Sequence, residues 1–313
     1  MTAFVFPGQG SQYPGMARDL TMCGDEARTL VAVAEKSTGV DLSSLMSSAD
    51  AATIADPKLA QLLVFVSSSV LLAQLRANGV EPAVVAGHSL GEYTALVAAG
   101  SLEWETALAL VAARGAAMAV EARQRPGTMG AVVGLPPATV ERWCRDTTPR
   151  HGTVVVANVN SPRQVVVSGT VAAVEAVLEA ARTAGALRAR RIPVGGAYHS
   201  PLMSGARERL VDLLRHAPLA APRIPFVSSV TGELVTDIEV YRAQLCEQVT
   251  MPVRWHATVE TLAGQGVTDF AEVGPGRVLS GLGREIARDA RHHDARAMLL
   301  GRPRAMAGTG ERG

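Results

Sequence analysis

Short apolar runs that end in turn residues recur along this chain. Residues 3–6 form the first run and lead into the sequence Pro-Gly-Gln-Gly, and residues 82–87 form a second run after an Asn-Gly break. Apolar runs of this length between turn residues predict strands that are buried on both faces, as in a parallel sheet. Helical spacing of apolar positions predicts long helices over residues 59–75, 90–99 and 104–123. The pattern therefore predicts an α/β fold.

The predicted elements become shorter and closer together after residue 127. In chain order we predict a strand at 129–135, a helix at 137–146, strands at 153–159 and 164–168, a helix at 170–184 and a strand at 187–194. The order βαββαβ is typical of a ferredoxin-like module. Two glycines, Gly195 and Gly196, mark the exit from it. We expect this small subdomain, residues 128–194, to be inserted into a larger α/β core made of residues 1–127 and 195–313.

The larger α/β pattern resumes after the small subdomain. A helix is predicted at 201–215 and strands are predicted at 224–228 and 267–273, the last of which runs into Gly-Pro-Gly. Residues 289–313 are rich in Arg, Ala and Gly and are expected to form a partly disordered tail. Most of the chain outside the small subdomain is thus predicted to build one core around a parallel sheet.

Composition excludes several classes of protein. Of the 313 residues, 48% are hydrophobic and 19% are charged, which is close to the average of soluble globular proteins. Thirty Lys and Arg against 29 Asp and Glu give a net charge of +1, so no broad electric field attracts nucleic acid or a membrane. No stretch approaches the roughly 18 apolar residues of a membrane helix, and the first residues lack the basic segment of a signal peptide.

The three cysteines give no sign of a disulfide framework or a metal site. Cys23, Cys144 and Cys246 are odd in number, lie far apart and lack the paired spacing of metal-binding cysteines. This usage fits a reducing cytoplasm, where we expect the protein to work. No metal or permanently bound cofactor is predicted.

The sequence Gly-His-Ser-Leu-Gly at 87–91 is a candidate nucleophile turn. A G-x-S-x-G sequence alone occurs often by chance, but here an apolar strand precedes it and a helix-forming stretch follows it. In that setting Ser89 lies on a tight strand-to-helix turn, and glycines flank it because side chains would crowd the two converging elements. The helix that follows offers free backbone N–H groups, including that of Leu90, to a developing oxyanion.

A serine hydroxyl needs a base within hydrogen-bond reach to become a nucleophile. Of the seven histidines, His199 is the best candidate, because it follows a loop of small residues and precedes a helix that opens with Ser-Pro. His256 is the runner-up. His88 is expected to point away from Ser89, and the other four are expected to be solvated: His151, His216, His292 and His293.

Seven separated segments, in order and in register, resemble the malonyl-CoA:acyl carrier protein transacylase family, which includes acyltransferases of polyketide synthases. They are FPGQGSQ (6–12), GHSLGEY (87–93), RGAAM (114–118), NVNSPRQVVVSG (158–169), GAYHSPLM (196–203), QVTMPVRW (248–255) and EVGPGRVLSGL (272–282). The resemblance implies a hydrolase-like α/β core with a parallel sheet and an inserted ferredoxin-like subdomain. This fold agrees with the one predicted from periodicity.

The resemblance also implies catalytic roles by position. Ser89 would carry the acyl group, and His199 would be its base in a ping-pong mechanism. A carbonyl of Gln248 would orient the imidazole, which a neutral group leaves less basic than a carboxylate does. The backbone N–H groups of Gln9 and Leu90 would form the oxyanion hole.

Arg114 carries the substrate argument, since a guanidinium can hold the free carboxylate of a malonyl group through two parallel hydrogen bonds. Met118, one helical turn later, is expected on the same face, and Asn160 and Tyr198 are placed in the acyl pocket. Malonyl-selective relatives usually carry Phe where this chain has Tyr198. The added hydroxyl needs a partner if it is buried, so a more polar extender unit than malonyl stays open.

The expected substrates are a coenzyme A thioester as donor and the phosphopantetheine thiol of an acyl carrier protein as acceptor. Acyl carrier proteins are acidic, and a rim of arginines would steer such a partner toward the cleft. The residues expected at this rim are Arg188, Arg190, Arg191 and Arg284. Solvated strand-end arginines are the alternative reading. A monomer is expected.

Other functions stay open at this point. A serine esterase or thioesterase would share the nucleophile turn, although hydrolases usually recruit an Asp or Glu to the histidine and have no use for Arg114. Acyl transfer between two carriers, a malonyltransferase subunit of a malonate decarboxylase and a scaffold that binds carrier protein are further alternatives. The resemblance does not separate fatty acid synthesis from polyketide synthesis.

Overall fold

The computed structural model describes residues 1–18 and 24–300. The strands in this part of the chain are β1 (Thr2–Phe6), β2 (Val84–Gly87), β3 (Thr128–Val133), β4 (Val154–Ser161), β5 (Gln164–Gly169), β6 (Arg188–Ile192), β7 (Phe226–Val227), β8 (Asp269–Glu272) and β9 (Arg291–Asp294). The helices are α1 (Gly24–Thr38), α2 (Leu42–Ser48), α3 (Pro57–Ala77), α4 (Gly91–Ala99), α5 (Trp104–Gln124), α6 (Pro137–His151), α7 (Val171–Thr183), α8 (Ser204–His216), α9 (Ile238–Glu247), α10 (Trp255–Gly264), α11 (Val278–Ile286) and α12 (Ala295–Leu300).

The main sheet is parallel and has β1 at its centre. Its strand order is β7-β2-β1-β8-β9, and Val5 of β1 pairs with Ala86 on one side and with Glu272 on the other. Helices cover both faces, so β1 and β2 contain almost only apolar residues and are buried throughout their inner positions. Because the carboxyl ends of parallel strands meet at one edge, the loops after β1, β2 and β8 lie close together. The α/β class with a parallel sheet is confirmed.

Helix α3 lies in the core, where it packs mainly against α5 and α1. Asp56 caps its N-terminus through a side-chain oxygen that accepts from the N–H of Lys58, and Pro57 occupies the first turn. By length and composition it could cross a membrane, contrary to the expectation that no segment would. In the fold 78% of that stretch is buried inside the protein, as in a core helix.

Residues 128–192 form a second, antiparallel sheet in the order β4-β5-β3-β6. The chain order β3-α6-β4-β5-α7-β6 is the predicted βαββαβ order. Helices α6 and α7 pack on one face around an apolar cluster that includes Val132, Val165 and Leu178. The division into a core and an inserted subdomain with boundaries at 127/128 and 194/195 stays a prediction.

The expected disordered tail is wrong for the residues that the structure describes. Residues 291–294 form β9, the fifth strand of the main sheet, and α12 follows it. His292, expected to be solvated, is half-buried and stacks on Phe270 with 5.0 Å between ring centroids. The sequence Arg-His-His-Asp of β9 lacks an apolar run, and an edge strand of this kind is stabilised by ion pairs such as Arg291 with Asp269. The remainder of that tail, residues 301–313, lies outside the described residues.

Candidate active site

Ser89 lies on a strained turn between β2 and α4. Its φ angle is +53°, in the left-handed region that few residues other than glycine adopt. A Cβ atom on Gly87 would lie 2.1 Å from the backbone carbon of Gly91, and a Cβ on Gly91 would lie 2.0 Å from the carbonyl oxygen of Phe6. Only glycine fits at either position, so the flanking glycines allow the close approach that presents Ser89 to the cleft.

His199 lies directly opposite the serine. Its Nε2 is 2.7 Å from Ser89 Oγ, and its Nδ1 is 3.1 Å from the carbonyl oxygen of Gln248 and 2.9 Å from that of Met251. Since carbonyl oxygens only accept, they fix the proton on Nδ1 and leave Nε2 as the base. Burial and then the positive charge of Arg114 lower the pKa of His199 to about 3, so the ring is neutral. The Met251 carbonyl was not foreseen from the sequence.

The other histidines take no part in this pair. His88 points away from the serine as expected, since its Nε2 is 3.0 Å from Asn160 Oδ1 and its ring lies against Trp255. The runner-up, His256, is on α10 and pairs with Glu260 at the protein surface, 3.2 Å away. His199 is therefore the histidine that the structure brings to Ser89.

The two backbone N–H groups predicted to receive an oxyanion, those of Gln9 and Leu90, have no protein acceptor in the described residues. Leu90 stands at the N-terminus of α4, and Gln9 lies in the loop that follows β1. Gly8 brings the two loops together, because a Cβ there would lie 2.5 Å from the carbonyl oxygen of His88. That these two backbone donors form an oxyanion hole stays a prediction, which their free N–H groups allow.

Arg114 of α5 extends its guanidinium to the nucleophile. The side chain is 1% exposed, and its Nη2 donates to Ser89 Oγ over 3.0 Å and to Gln248 Oε1 over 3.1 Å. Its Nη1 donates to Gln61 Oε1 over 2.7 Å. Burial lowers the pKa of Arg114, although the neighbouring Tyr93 and Glu92 oppose that effect. A buried cation beside a nucleophilic serine is suited to an acyl group that carries its own carboxylate.

The chain matches the model of a known family over nearly its whole length. The description of that family is "Acyl transferase domain", and the match covers residues 3–304. The chain belongs to this acyl transferase family.

Curated relatives support a narrower assignment within this family. The chain is 37% identical over 286 residues to the malonyl CoA-acyl carrier protein transacylase of Bacillus subtilis, a match that covers 91% of this chain and 90% of that protein. It is 36% identical over 290 residues to the protein of the same name in Staphylococcus aureus, covering 93% of this chain and 94% of that protein.

Solved structures agree with these relatives. The malonyl CoA-acyl carrier protein transacylase of Coxiella burnetii superposes with a TM-score of 0.91 at 34% identity, covering 96% of both chains. A malonyl-transacylase solved in complex with a type II polyketide synthase acyl-carrier protein superposes with the same TM-score and identity, covering 96% of this chain and 97% of that one. The hydrolase-like core of such structures is consistent with the parallel sheet and the nucleophile turn.

The cleft of this acyl transferase is a cavity of about 570 Å³ that reaches from Ser89 and Arg114 to the small subdomain. Met118, Asn160 and Tyr198 line it, as expected for the acyl pocket. Asn160 Nδ2 donates to Gln164 Oε1, while its Oδ1 faces His88. Asn160 therefore lies between the catalytic turn and the small sheet.

The expected arginine rim is only half present at the cleft. Arg188 and Arg190 line the cavity, because alternate residues of β6 face the same side. Arg191 faces the other side, where its Nε lies 3.7 Å from Glu175 of α7. Arg284 of α11 donates to the carbonyl oxygen of His292 in β9 and does not line the cavity. Arg191 and Arg284 thus lie outside the cavity lining, and the docking role of the four arginines stays a prediction.

The hydroxyl of Tyr198 is buried, and the Gln9 side chain lies close enough to interact with it. Burial raises the pKa of Tyr198 to about 12, against a smaller opposing effect of the Gln9 side chain. Gln9 is therefore the candidate partner of this hydroxyl among the described residues. The ring lies close to Gly196, where an added Cβ atom would be 3.0 Å from Tyr198 Cε1.

Two buried polar residues at the site were missed in the sequence. Gln61 of α3 accepts from Arg114, and its Nε2 lies 3.4 Å from Gln9 Oε1. Glu92 of α4 accepts from Gln248 and is entirely buried. Gln61 falls in a helical pattern that predicts only a core helix. Glu92 stands within the GHSLGEY segment, where its polarity on a buried helix was the available signal.

Proposed function

We propose that this acyltransferase moves a malonyl group from coenzyme A to the phosphopantetheine thiol of an acyl carrier protein. The observation that carries the proposal is the Arg114 guanidinium 3.0 Å from Ser89 Oγ in a buried cavity, since a buried cation favours an acyl group that carries a negative charge. The names of the relatives and the neighbour in complex with a carrier protein support the same substrates.

The first half-reaction loads the enzyme. His199 Nε2 takes the proton of Ser89 as Oγ attacks the thioester carbon of malonyl-CoA. The carbonyl oxygen becomes an oxyanion and accepts from the N–H groups of Gln9 and Leu90. When the intermediate collapses, the thiolate of coenzyme A leaves and takes the proton from the imidazolium. Arg114 exchanges its contact with Ser89 Oγ for the malonyl carboxylate.

The second half-reaction transfers the malonyl group from the enzyme to the carrier. The carrier thiol gives its proton to His199, and the thiolate attacks the malonyl ester on Ser89. The ester bond breaks, Ser89 Oγ takes the proton back from His199, and malonyl-carrier thioester is released. Coenzyme A enters as a donor substrate and phosphopantetheine as an acceptor, so the chemistry needs no permanently bound cofactor.

The carrier partner approaches along the face formed by Arg188 and Arg190. Both side chains are exposed and line the mouth of the cleft that contains Ser89. Within the described residues neither has a carboxylate partner, so their charge is available to an acidic carrier. We further propose that the enzyme works as a monomer in a reducing cytoplasm, in keeping with the free thiols of Cys144 and Cys246.

Intact-protein mass spectrometry tests this proposal. We expect wild type incubated with malonyl-CoA to gain one malonyl group, Ser89→Ala to gain none, and Arg114→Ala to lose preference for malonyl over acetyl. Methylmalonyl-CoA serves as a third donor. Rapid release of free coenzyme A without an adduct would instead favour a thioesterase.

A further inference from the structure

A buried carboxylate lies beside the nucleophile and has no part in either half-reaction. Glu92 is in the first turn of α4, three residues after Ser89, and is 0% exposed. Burying an ionised carboxylate costs several kcal/mol, roughly, unless donors surround it. Its position in the core near Arg114 therefore requires an explanation beyond packing.

Every polar contact of Glu92 presents a donor to it. Oε1 accepts from the backbone N–H of Ser229 over 2.6 Å and from the hydroxyl of Ser228 over 3.1 Å, and Oε2 accepts from Nε2 of Gln248. Burial raises the pKa of Glu92, and hydrogen bonds from the Ser229 backbone and from the side chains of Gln248, Ser228 and Ser229 oppose that effect. The side chain is thus built into the fold as an acceptor.

The partner that matters is the carboxamide of Gln248. Its Nε2 donates to Glu92 and, over 3.0 Å, to the carbonyl oxygen of Ser89, so its Oε1 faces the opposite way and accepts from Arg114. The two ends of a carboxamide are nearly identical in shape, and only hydrogen-bond partners select one orientation. An acceptor-only carboxylate selects the orientation that turns oxygen toward the guanidinium.

We propose that Glu92 is a positioning residue for malonyl recognition, because it fixes the Gln248 carboxamide so that Arg114 is held at the acyl end of the cavity. The inference rests on the proposed malonyl transfer. Glu92 touches neither the acyl group nor the reacting atoms, and it acts through Gln248. His199 is held separately by backbone carbonyls, so the Ser89–His199 pair does not depend on the orientation of this carboxamide.

Glu92→Gln is the sharpest test. The new side chain still presents an oxygen to Ser229, which turns its NH₂ group toward the NH₂ of Gln248. Two donors repel, so the hydrogen bond between the two side chains is lost and the Gln248 carboxamide is no longer fixed against Arg114. The guanidinium loses an acceptor and shifts. We expect the ratio of kcat/KM for malonyl-CoA to that for acetyl-CoA to fall about 10- to 100-fold, while acetyl transfer changes much less.

The matched control is Glu121→Gln. Glu121 is also a buried carboxylate, on α5, and pairs with Arg125 and Arg209 away from the cleft. A merely structural loss lowers kcat/KM for malonyl-CoA and for acetyl-CoA in parallel, so their ratio is unchanged. It also lowers labelling of Ser89 by phenylmethylsulfonyl fluoride. That outcome for Glu92→Gln, with an unchanged ratio, overturns the proposal. Wild type loaded with malonyl-CoA in the same assay reports the proposed function independently.

Gln248→Leu provides a second route if Glu92→Gln does not fold. It removes the carboxamide, and we expect the same fall in the malonyl to acetyl ratio. The double variant should lose no more of this ratio than Gln248→Leu alone, because both changes interrupt one connection. Full malonyl selectivity in Gln248→Leu, or additive losses in the double variant, would show that Glu92 does not act through Gln248.

Discussion

The two sheets of this protein carry their polar groups in opposite ways. At the carboxyl edge of the main sheet, buried polar and charged side chains converge on Ser89 and two residues hold left-handed backbone angles. The small sheet packs on α6 and α7 through a cluster that is apolar throughout. Substitutions in the first region should therefore change chemistry and fold together, whereas those in the apolar cluster of the small sheet should change stability alone.

The largest contrast is expected between two glycines, one in each region. A Cβ on Gly91 would meet the backbone oxygen of Phe6 at 2.0 Å, while one on Gly130 of β3 would meet the flexible end of Leu178 at 2.9 Å. Gly91→Ala should cost more than about 4 kcal/mol of unfolding free energy, or prevent folding, and Gly130→Ala about 1 kcal/mol. Urea denaturation measures both. Equal costs would mean that the two regions are packed alike.

The arginines of β6 separate docking from fold stability. Arg190 lines the cleft and Arg191 pairs with Glu175 on the other side of the strand. Arg190→Glu should raise the KM for the acyl carrier protein about tenfold and make it less sensitive to salt, while self-acylation by malonyl-CoA is spared. Arg191→Glu is the matched control and should leave this KM near the wild-type value. If self-acylation of Arg190→Glu fell equally, docking would not be the cause.

A smaller gain is expected at Tyr198, where the buried hydroxyl has no well-formed hydrogen bond to a described residue. Tyr198→Phe removes only that oxygen and should stabilise the enzyme by about 1 kcal/mol, with malonyl transfer retained. Thermal unfolding and the malonyl adduct measure the two effects. A loss of malonyl transfer would instead show that the hydroxyl contacts the acyl group, and a gain for methylmalonyl-CoA would show that it limits the pocket.

The smallest change is expected on acidification. An ordinary histidine with a pKa near 6.5 loses its base form below neutral pH, whereas the pKa of His199 is lowered to about 3. The rate of self-acylation should therefore stay level from pH 8 to about 5. Rapid-quench kinetics measure it, and a fall centred near pH 6.5 would contradict the buried, neutral imidazole.

The same lowered pKa also makes the folded state less stable at low pH, and this effect must be controlled. A histidine that is neutral when folded takes up a proton only on unfolding, so stability is fully present above the unfolded pKa near 6.5 and declines as the pH falls below it. His88, whose pKa is also lowered by burial, adds to this decline. Circular dichroism at each pH separates loss of folded enzyme from loss of the base.

Much of this fold follows from local sequence pattern. The apolar runs before Pro7 and before Ser89 predicted the two central strands, and the βαββαβ order predicted the small sheet. Strand β9 could not be predicted in this way, because Arg-His-His-Asp has no apolar face and forms only against β8. Its stability comes from tertiary pairing, which local propensity does not report.

Some residues of the candidate site could likewise be predicted from the sequence, and others could not. Ser89 and His199 stand in recognisable segments, and the structure brings them within hydrogen-bond distance across 110 positions of chain. Gln61 and Glu92 were missed since their partners come from distant helices and loops. Successive side chains of a strand point to opposite faces, so Arg190 and Arg191 could have been assigned to different sides from the sequence. Grouping them because they are neighbours in the sequence ignored this alternation.

The left-handed backbone of Ser89 and His199 has a consequence for evolution in the laboratory. Each angle costs a residue with a side chain about 1–3 kcal/mol, and glycine would relieve that cost. Variants selected for heat resistance alone are therefore drawn toward glycine at the two positions where it abolishes catalysis. At these positions stability and activity favour different residues, so directed evolution for stability must also screen for turnover at every round.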